Sequence, residues 1–195
     1  RFRRPPGPGR ARAERLRALY GDIDAAARRA GVEWHLFSNE ICVPADFGPL
    51  SYDDPALWSL IAGRLREVFR ALPGARGYLL YFCEGPKEVV DLPGSEPSMT
   101  RRYRKLIDTV WDVCRAERRK LFVTTFIHRL DKLEAIAEAL REIPPHPDFA
   151  VLQYCCPNDW GLYALTNPLI GRVGPHPEIL GFDYAAENCV CGAHP

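Results

Sequence analysis

Five titratable side chains follow or close short apolar runs of this chain. They are Glu40 after Trp34–Phe37, Glu84 after Tyr78–Cys83, His128 at the end of Leu121–His128, Asp159 after Phe149–Tyr154, and Glu187 after Ile179–Tyr184. Four are carboxylic acids. If the runs are strands of one parallel sheet, their C-terminal ends share an edge, and residues far apart in sequence meet there. Paired carboxylates suit glycosidic cleavage: one, protonated, donates to the leaving oxygen, while another, ionised, activates water or attacks. Glu84 is the candidate acid, with Asp159 and Glu187 the candidates for holding and deprotonating a water. Trp160, beside Asp159, offers a flat apolar face to a sugar ring. Asn158, His128 and Glu40 complete the candidate substrate contacts, and for Glu40 a helix cap or a solvated position is the alternative. Phe82 and Tyr184 lie inside apolar runs and read as core, whereas Tyr154 stands at a run's end. Nucleophilic triads have less support, because Ser38 and Ser51 lack a G-x-S-x-G turn and no cysteine has an evident histidine partner.

The elements that must position these groups follow from periodicity and punctuation. An Ala- and Arg-rich helix over 11–30 carries Leu16, Leu19, Ile23 and Ala27 on one face, and Gly31 stops it. Asp54-Pro55 supplies a cap and a first helical position for a helix that Pro73-Gly74 ends, with Leu57, Leu60, Ile61, Leu65, Val68, Phe69 and Leu72 at helical spacing. A third helix begins near Ser98 or Thr100 and keeps Tyr103, Leu106, Ile107, Val110, Trp111 and Cys114 inward. A fourth begins at Asp131 and closes at Pro144-Pro145. The apolar runs between them lack polar alternation, as strands covered on both faces do. Strand, helix, strand, helix, strand, helix, strand, strand is the order of parallel crossovers. Neither G-x-G-x-x-G nor a P-loop follows the early strands, which disfavours nucleotide binding. The expected fold class is therefore α/β: a partial (β/α)8 TIM-type barrel of about five parallel strands with outer helices, over residues 11–195. Residues 1–10, basic and rich in Pro and Gly, form a flexible arm in this reading.

Composition bounds the rest. Of the 195 residues, 47% are hydrophobic, enough for a real core, and the net charge of +1 gives no pull toward nucleic acid or acidic membranes. No apolar run approaches the ~18 residues of a membrane span, and the start lacks a signal-like stretch. Seven cysteines, an odd number and several in apolar runs, suit reduced thiols and favour a cytoplasmic setting. Cys155, Cys156, Cys189, Cys191 and His194 match no zinc spacing, so neither metal nor cofactor is expected.

Tyr78-Leu-Leu-Tyr-Phe-Cys-Glu-Gly-Pro86 resembles the strand ending in Ser-Glu-Gly that carries the general acid of family 67 α-glucuronidases. Those enzymes are (β/α)8 inverting glycoside hydrolases. Phe149–Asp159 is similar to their later strand ending in an Asp, and Ile179–Glu187 to the next, ending in a Glu. The resemblance spans roughly residues 75–190, and its Asp and Glu, 28 positions apart here, act on the attacking water in that family. It implies Glu84 as acid and a carbohydrate substrate. Two positions depart: Leu80 stands where the family has a Lys, and Thr124 or Thr125 where it has an Arg that helps recognise the substrate. A non-catalytic carbohydrate-binding or degenerate barrel, and a metal- or Lys-dependent isomerase or aldolase barrel using Lys87, are the alternatives.

Overall fold

The computed structural model describes residues 8–43, 48–82, 87–125, 129–154 and 167–181. Its order is α1 Pro8–Ala30, β1 His35–Asn39, α2 Pro55–Ala71, β2 Gly77–Tyr81, a 3-10 turn Val89–Asp91, α3 Met99–Ala116, β3 Lys120–Thr124, α4 Leu130–Arg141, β4 Phe149–Tyr154 and β5 Glu178–Gly181.

Local chemistry sets the boundaries. The Asp54 side chain accepts from the Ala56 amide at 2.8 Å, and Pro55 fills the first turn of α2, where a missing N–H costs nothing. Ser98 caps α3 through the Arg101 amide at 3.3 Å. Gly31 ends α1 with φ at 66°, a left-handed residue that lets the Val32 amide reach back to the Ala27 carbonyl at 2.9 Å. β1 runs later than Trp34–Phe37, and β2, β3 and β5 each begin one residue earlier than their apolar runs. Residues 83, 126–128 and 182–184, expected to extend three of those strands, lie outside the described residues.

The five strands form one sheet in the order β1-β2-β3-β4-β5, every neighbouring pair parallel. Tyr78 pairs with Leu121, and Leu121 with Phe149. The order never reverses direction, unlike that of a doubly wound sheet. The chain is α/β, with an all-parallel sheet and four α-helices among its described residues.

Alternation along each strand divides the sheet into two faces. On one, Leu80, Leu121, Val123, Phe149 and Val151 are fully buried against Leu57, Leu65 and Phe69 of α2, Leu106, Ile107 and Val110 of α3, and Ile136 and Leu140 of α4. Burying each such side chain stabilises by about 1.5–3 kcal/mol before ordering costs. α3 touches both α2 and α4, so the three crossover helices make one layer. The opposite face is also apolar and only partly covered: Leu79, Phe122 and Leu152 are half-buried, while Phe37 and Ile179 are 55% and 42% exposed.

α1 departs from expectation. Leu16, Leu19 and Ile23 do share a face, but they are 42%, 53% and 44% exposed. Among the described side chains of α1 the buried one is Asp24, 2% exposed, which accepts from the Trp34 indole at 3.2 Å and pairs with Arg28 at 3.3 Å. Gly74 leaves the space it occupies: a Cβ there would run into the Asp24 carboxylate and into Arg28.

Candidate functional site

Because all five strands run the same way, Asn39, Tyr81, Thr124, Tyr154 and Gly181 finish along one edge. Glu40 follows Asn39 directly. Glu84, His128, Asp159 and Glu187 follow their strand ends by three, four, five and six positions in sequence. Those four residues, with Asn158 and Trp160, lie outside the described residues.

Glu40 is turned away from solvent and meets the first amide of the 3-10 turn Val89–Asp91, as the helix-cap alternative has it. It is 4% exposed, and its Oε2 accepts from the Val89 amide at 2.8 Å, tying the end of β1 to the segment after β2. Two cations hold that segment as well. The Arg102 guanidinium, from the first turn of α3, donates to the carbonyls of Glu96 at 2.6 Å, and of Val89, Val90 and Gly94 at 3.3 Å each, as well as to that of Leu92. It also lies over the Tyr52 ring, 4.8 Å from the centroid. Lys132, at the start of α4, binds Glu88 directly and Asp91 at 3.6 Å. Burial works against its charge, yet the Glu88 hydrogen bond and the two carboxylates leave its pKa raised. The segment 87–98 is thus fixed by Glu40 just after β1 and by Arg102 and Lys132 of α3 and α4.

Sequence reading missed both cations, although the signal was present. Arg102 shares a helical stripe with Leu106 and Val110, and Lys132 shares one with Ile136 and Leu140. A charge on an otherwise buried stripe implies a buried partner.

Thr124 and Thr125, the positions where the resemblance departs, are fully buried. The Thr124 hydroxyl accepts from the Phe82 amide at 3.3 Å, and the Thr125 hydroxyl lies 3.4 Å from the Gln153 side-chain oxygen. Asn167 donates to the Tyr154 carbonyl at 3.0 Å and to Thr125 at 3.4 Å. Between β3, β4 and the segment before β5 these residues form a polar network that needs no cation.

Aromatic rings line the open face toward the same edge. Phe37 meets Tyr81 edge-on at 5.1 Å, and Tyr81 meets Tyr154 at 6.3 Å. Phe82 instead points into the core, fully buried and 5.2 Å from Tyr103. Tyr78, on the helix face, is pushed up to about 12 by burial, against a hydrogen bond from Ser38, and burial also pushes the Cys114 thiol up to about 12. Neither is an activated nucleophile. Among the described residues no group of His, Cys, Asp and Glu is placed to hold a metal ion, and no helix is long and apolar enough to cross a membrane. The cysteines at 155, 156, 189 and 191, and His194, lie outside the described residues. Cys42 and Cys114 are free thiols. No family model matches the chain, and no curated protein matches it.

Proposed function

We propose that the chain is the catalytic part of a glycoside hydrolase built on a (β/α)8 barrel, α-glucuronidase-like and inverting. Glu84 is its general acid, and Asp159 and Glu187 hold and deprotonate the attacking water. The observation that carries the reading is the parallel sheet in unreversed order, since consecutive βα units winding one way are what a barrel repeats. That order brings the C-terminal ends of β1, β2, β3, β4 and β5 to a common edge. A partly covered apolar face opposite the helices also suits the interior of a barrel, which side chains fill. In this reading His128, Asn158 and Trp160 contact the sugar, and Glu40 contributes through the segment it ties at Val89.

A carbohydrate-binding barrel without turnover is the second reading. The buried Thr124 and Thr125, standing where the resembling family has an Arg, bear on which sugar is taken rather than on turnover, and a binding barrel would hold its carboxylates too far apart or in ion pairs with Arg or Lys.

Glu84→Gln separates the two. A general acid must stay protonated near neutral pH, well above the ~4.3 of a free Glu. In the hydrolase reading the variant loses about 100-fold or more in kcat on glycosides with poor leaving groups. It retains most activity where the leaving group needs no proton. Proton NMR of the first product gives the anomer opposite to that of the substrate. Equal, small losses on both substrate types would remove Glu84 as the acid, and sugar binding without turnover in the unmutated chain would select the second reading.

A further inference from the structure

We propose that the turns entering β1, β2 and β3, at the sheet edge opposite the strand C-termini, form a docking face for the phosphate backbone of a nucleic acid. The proposal stands on charge and turn geometry, and does not depend on the glycosidase reading.

Helices that alternate with parallel strands end where the strands start, so three turns meet at that edge, 31–34, 72–76 and 116–119. The Arg76 amide donates to the Trp34 carbonyl at 2.9 Å, the Lys120 amide to the Arg76 carbonyl at 3.0 Å, and the Arg119 guanidinium to the Pro73 carbonyl at 3.0 Å. Arg28 and Arg29 close α1, Arg70 closes α2 and Arg115 closes α3, where cations complement the helix dipoles. That role does not extend to Arg76 and Arg118, which stand exposed beyond the helix ends. Acids are fewer here, and three are already matched: Asp24 with Arg28 at 3.3 Å, Glu33 with Lys120 at 2.7 Å, and Asp112 with Arg115 at 2.6 Å. Among the described residues Arg29, Arg70, Arg76 and Arg118 are left without an ion pair. Toward β4 the edge turns mixed, with Glu142 and Asp148 near Arg141 in sequence. The net charge of +1 averages this local excess with acids placed elsewhere in the chain.

Arg118 supplies an independent observation. α1 and α3 end in the same turn: the Gly31 and Arg118 amides donate to carbonyls three positions back, at 3.3 and 3.1 Å. The amides after them donate to carbonyls five positions back, at 2.9 and 2.8 Å. The turn needs a left-handed residue, with φ at 66° in Gly31 and 53° in Arg118. Glycine adopts that conformation without steric cost, whereas a Cβ resists it. Arg118 is the one non-glycine residue with positive φ among the described residues. A long exposed cation in a glycine position serves the guanidinium it presents, not the turn.

The layout selects the partner. Lys120 apart, the cations are arginines, whose planar fork grips phosphate oxygens in pairs. Neighbouring strands stand about 4.8 Å apart, so the turns before β1, β2 and β3 set their charges in a row, as a linear polyanion requires. Val32, 58% exposed, is the one large apolar side chain exposed on these turns, too little to anchor in a bilayer. Trp34 is half-buried and bonded to Asp24, so it offers no face for base stacking, and the contact is with backbone phosphates, independent of sequence.

Fluorescence anisotropy of a labelled oligothymidylate of about 20 nucleotides, titrated with the chain, is the test. About four phosphate contacts give a slope of about −3 in log affinity against log salt concentration, a loss of about 50-fold between about 50 and 200 mM. Arg76→Gln and Arg118→Gly each reduce that slope by about 0.7 and weaken binding at the lower salt concentration. Arg118→Gly also keeps or raises the melting temperature, because glycine suits the turn, so its weaker binding does not come from unfolding. Arg101→Gln, in the first turn of α3 at the opposite end, leaves slope and affinity unchanged. Absence of binding at low salt, a slope near zero, or a double variant Arg76→Gln/Arg118→Gly that binds like the parent overturns the proposal. So does equal or tighter binding to phosphatidylserine vesicles or to polyglutamate, which would make the partner a lipid surface or an acidic protein.

Discussion

Lys132 and Glu88 form a largely dehydrated ion pair, their side chains 7% and 19% exposed. Such a pair adds little over an apolar pair of the same shape, but breaking it strands the remaining charge. Lys132→Met leaves Glu88 facing the interior and costs about 1–3 kcal/mol, read as a lower urea midpoint at unchanged slope. An unmoved midpoint would mean that Glu88 turns out to water. His35 offers a pH handle. Burial, with the nearby Lys120 charge, holds its pKa below the ordinary value, against the pull of Glu33 at 3.5 Å. Its Nδ1 is buried without a hydrogen-bond partner among the described residues, close to Gly77 of the adjacent β2. The folded state therefore binds the proton less readily than the unfolded state. Stability is fully present above the unfolded value of about 6.5 and declines as the pH falls through it toward the folded value. Urea midpoints at successive pH values from 7.5 to 5.5, against His35→Gln, measure this. The variant lacks that part of the decline, and parallel curves would exclude His35 as its source.

At the scale of elements, β2 lies between β1 and β3, and its first residue has no room for a side chain. A Cβ on Gly77 would stand 2.7 Å from the Lys120 carbonyl oxygen and 2.8 Å from His35 Nδ1. Gly77→Ala must part the strands or turn the imidazole, at about 1–3 kcal/mol, visible as a fall in melting temperature. A variant as stable as the parent would show that β3 shifts freely there. The segment 87–98 is held differently, by one guanidinium reaching five carbonyls. Arg102→Met leaves those carbonyls without their donor, and amide exchange over residues 88–97 accelerates while β3 keeps its protection. Acceleration spread evenly over the whole chain would instead mark Arg102 as a general stability residue.

For the whole molecule, the helix layer gives one side of the sheet a dense core, whereas Phe37 and Ile179 stay exposed on the other side, and Leu19 and Tyr20 on α1. An apolar dye such as anilinonaphthalene sulfonate should fluoresce with the native chain at neutral pH while near-ultraviolet dichroism reports fixed packing. Native packing without dye fluorescence would mean that these surfaces are covered in solution.

Residue identity alone determined the elements, because what defines them acts within a few positions. The Asp54-Pro55 cap, the α3 stripe from Tyr103 to Cys114, and the six-residue run Phe149–Tyr154 all stand where periodicity and punctuation put them. The parallel character of the sheet was legible too, from uninterrupted apolar runs separated by helices. Tertiary structure alone decided the fates of particular side chains. Glu40 binds an amide 49 positions away, Lys132 a carboxylate 44 positions away, and α1 keeps its apolar stripe exposed because no described strand lies beneath it. Local pattern states which face of an element is apolar. Only the packed arrangement states whether anything covers that face, and which buried charge meets which partner, because those energies belong to contacts between distant parts of the chain.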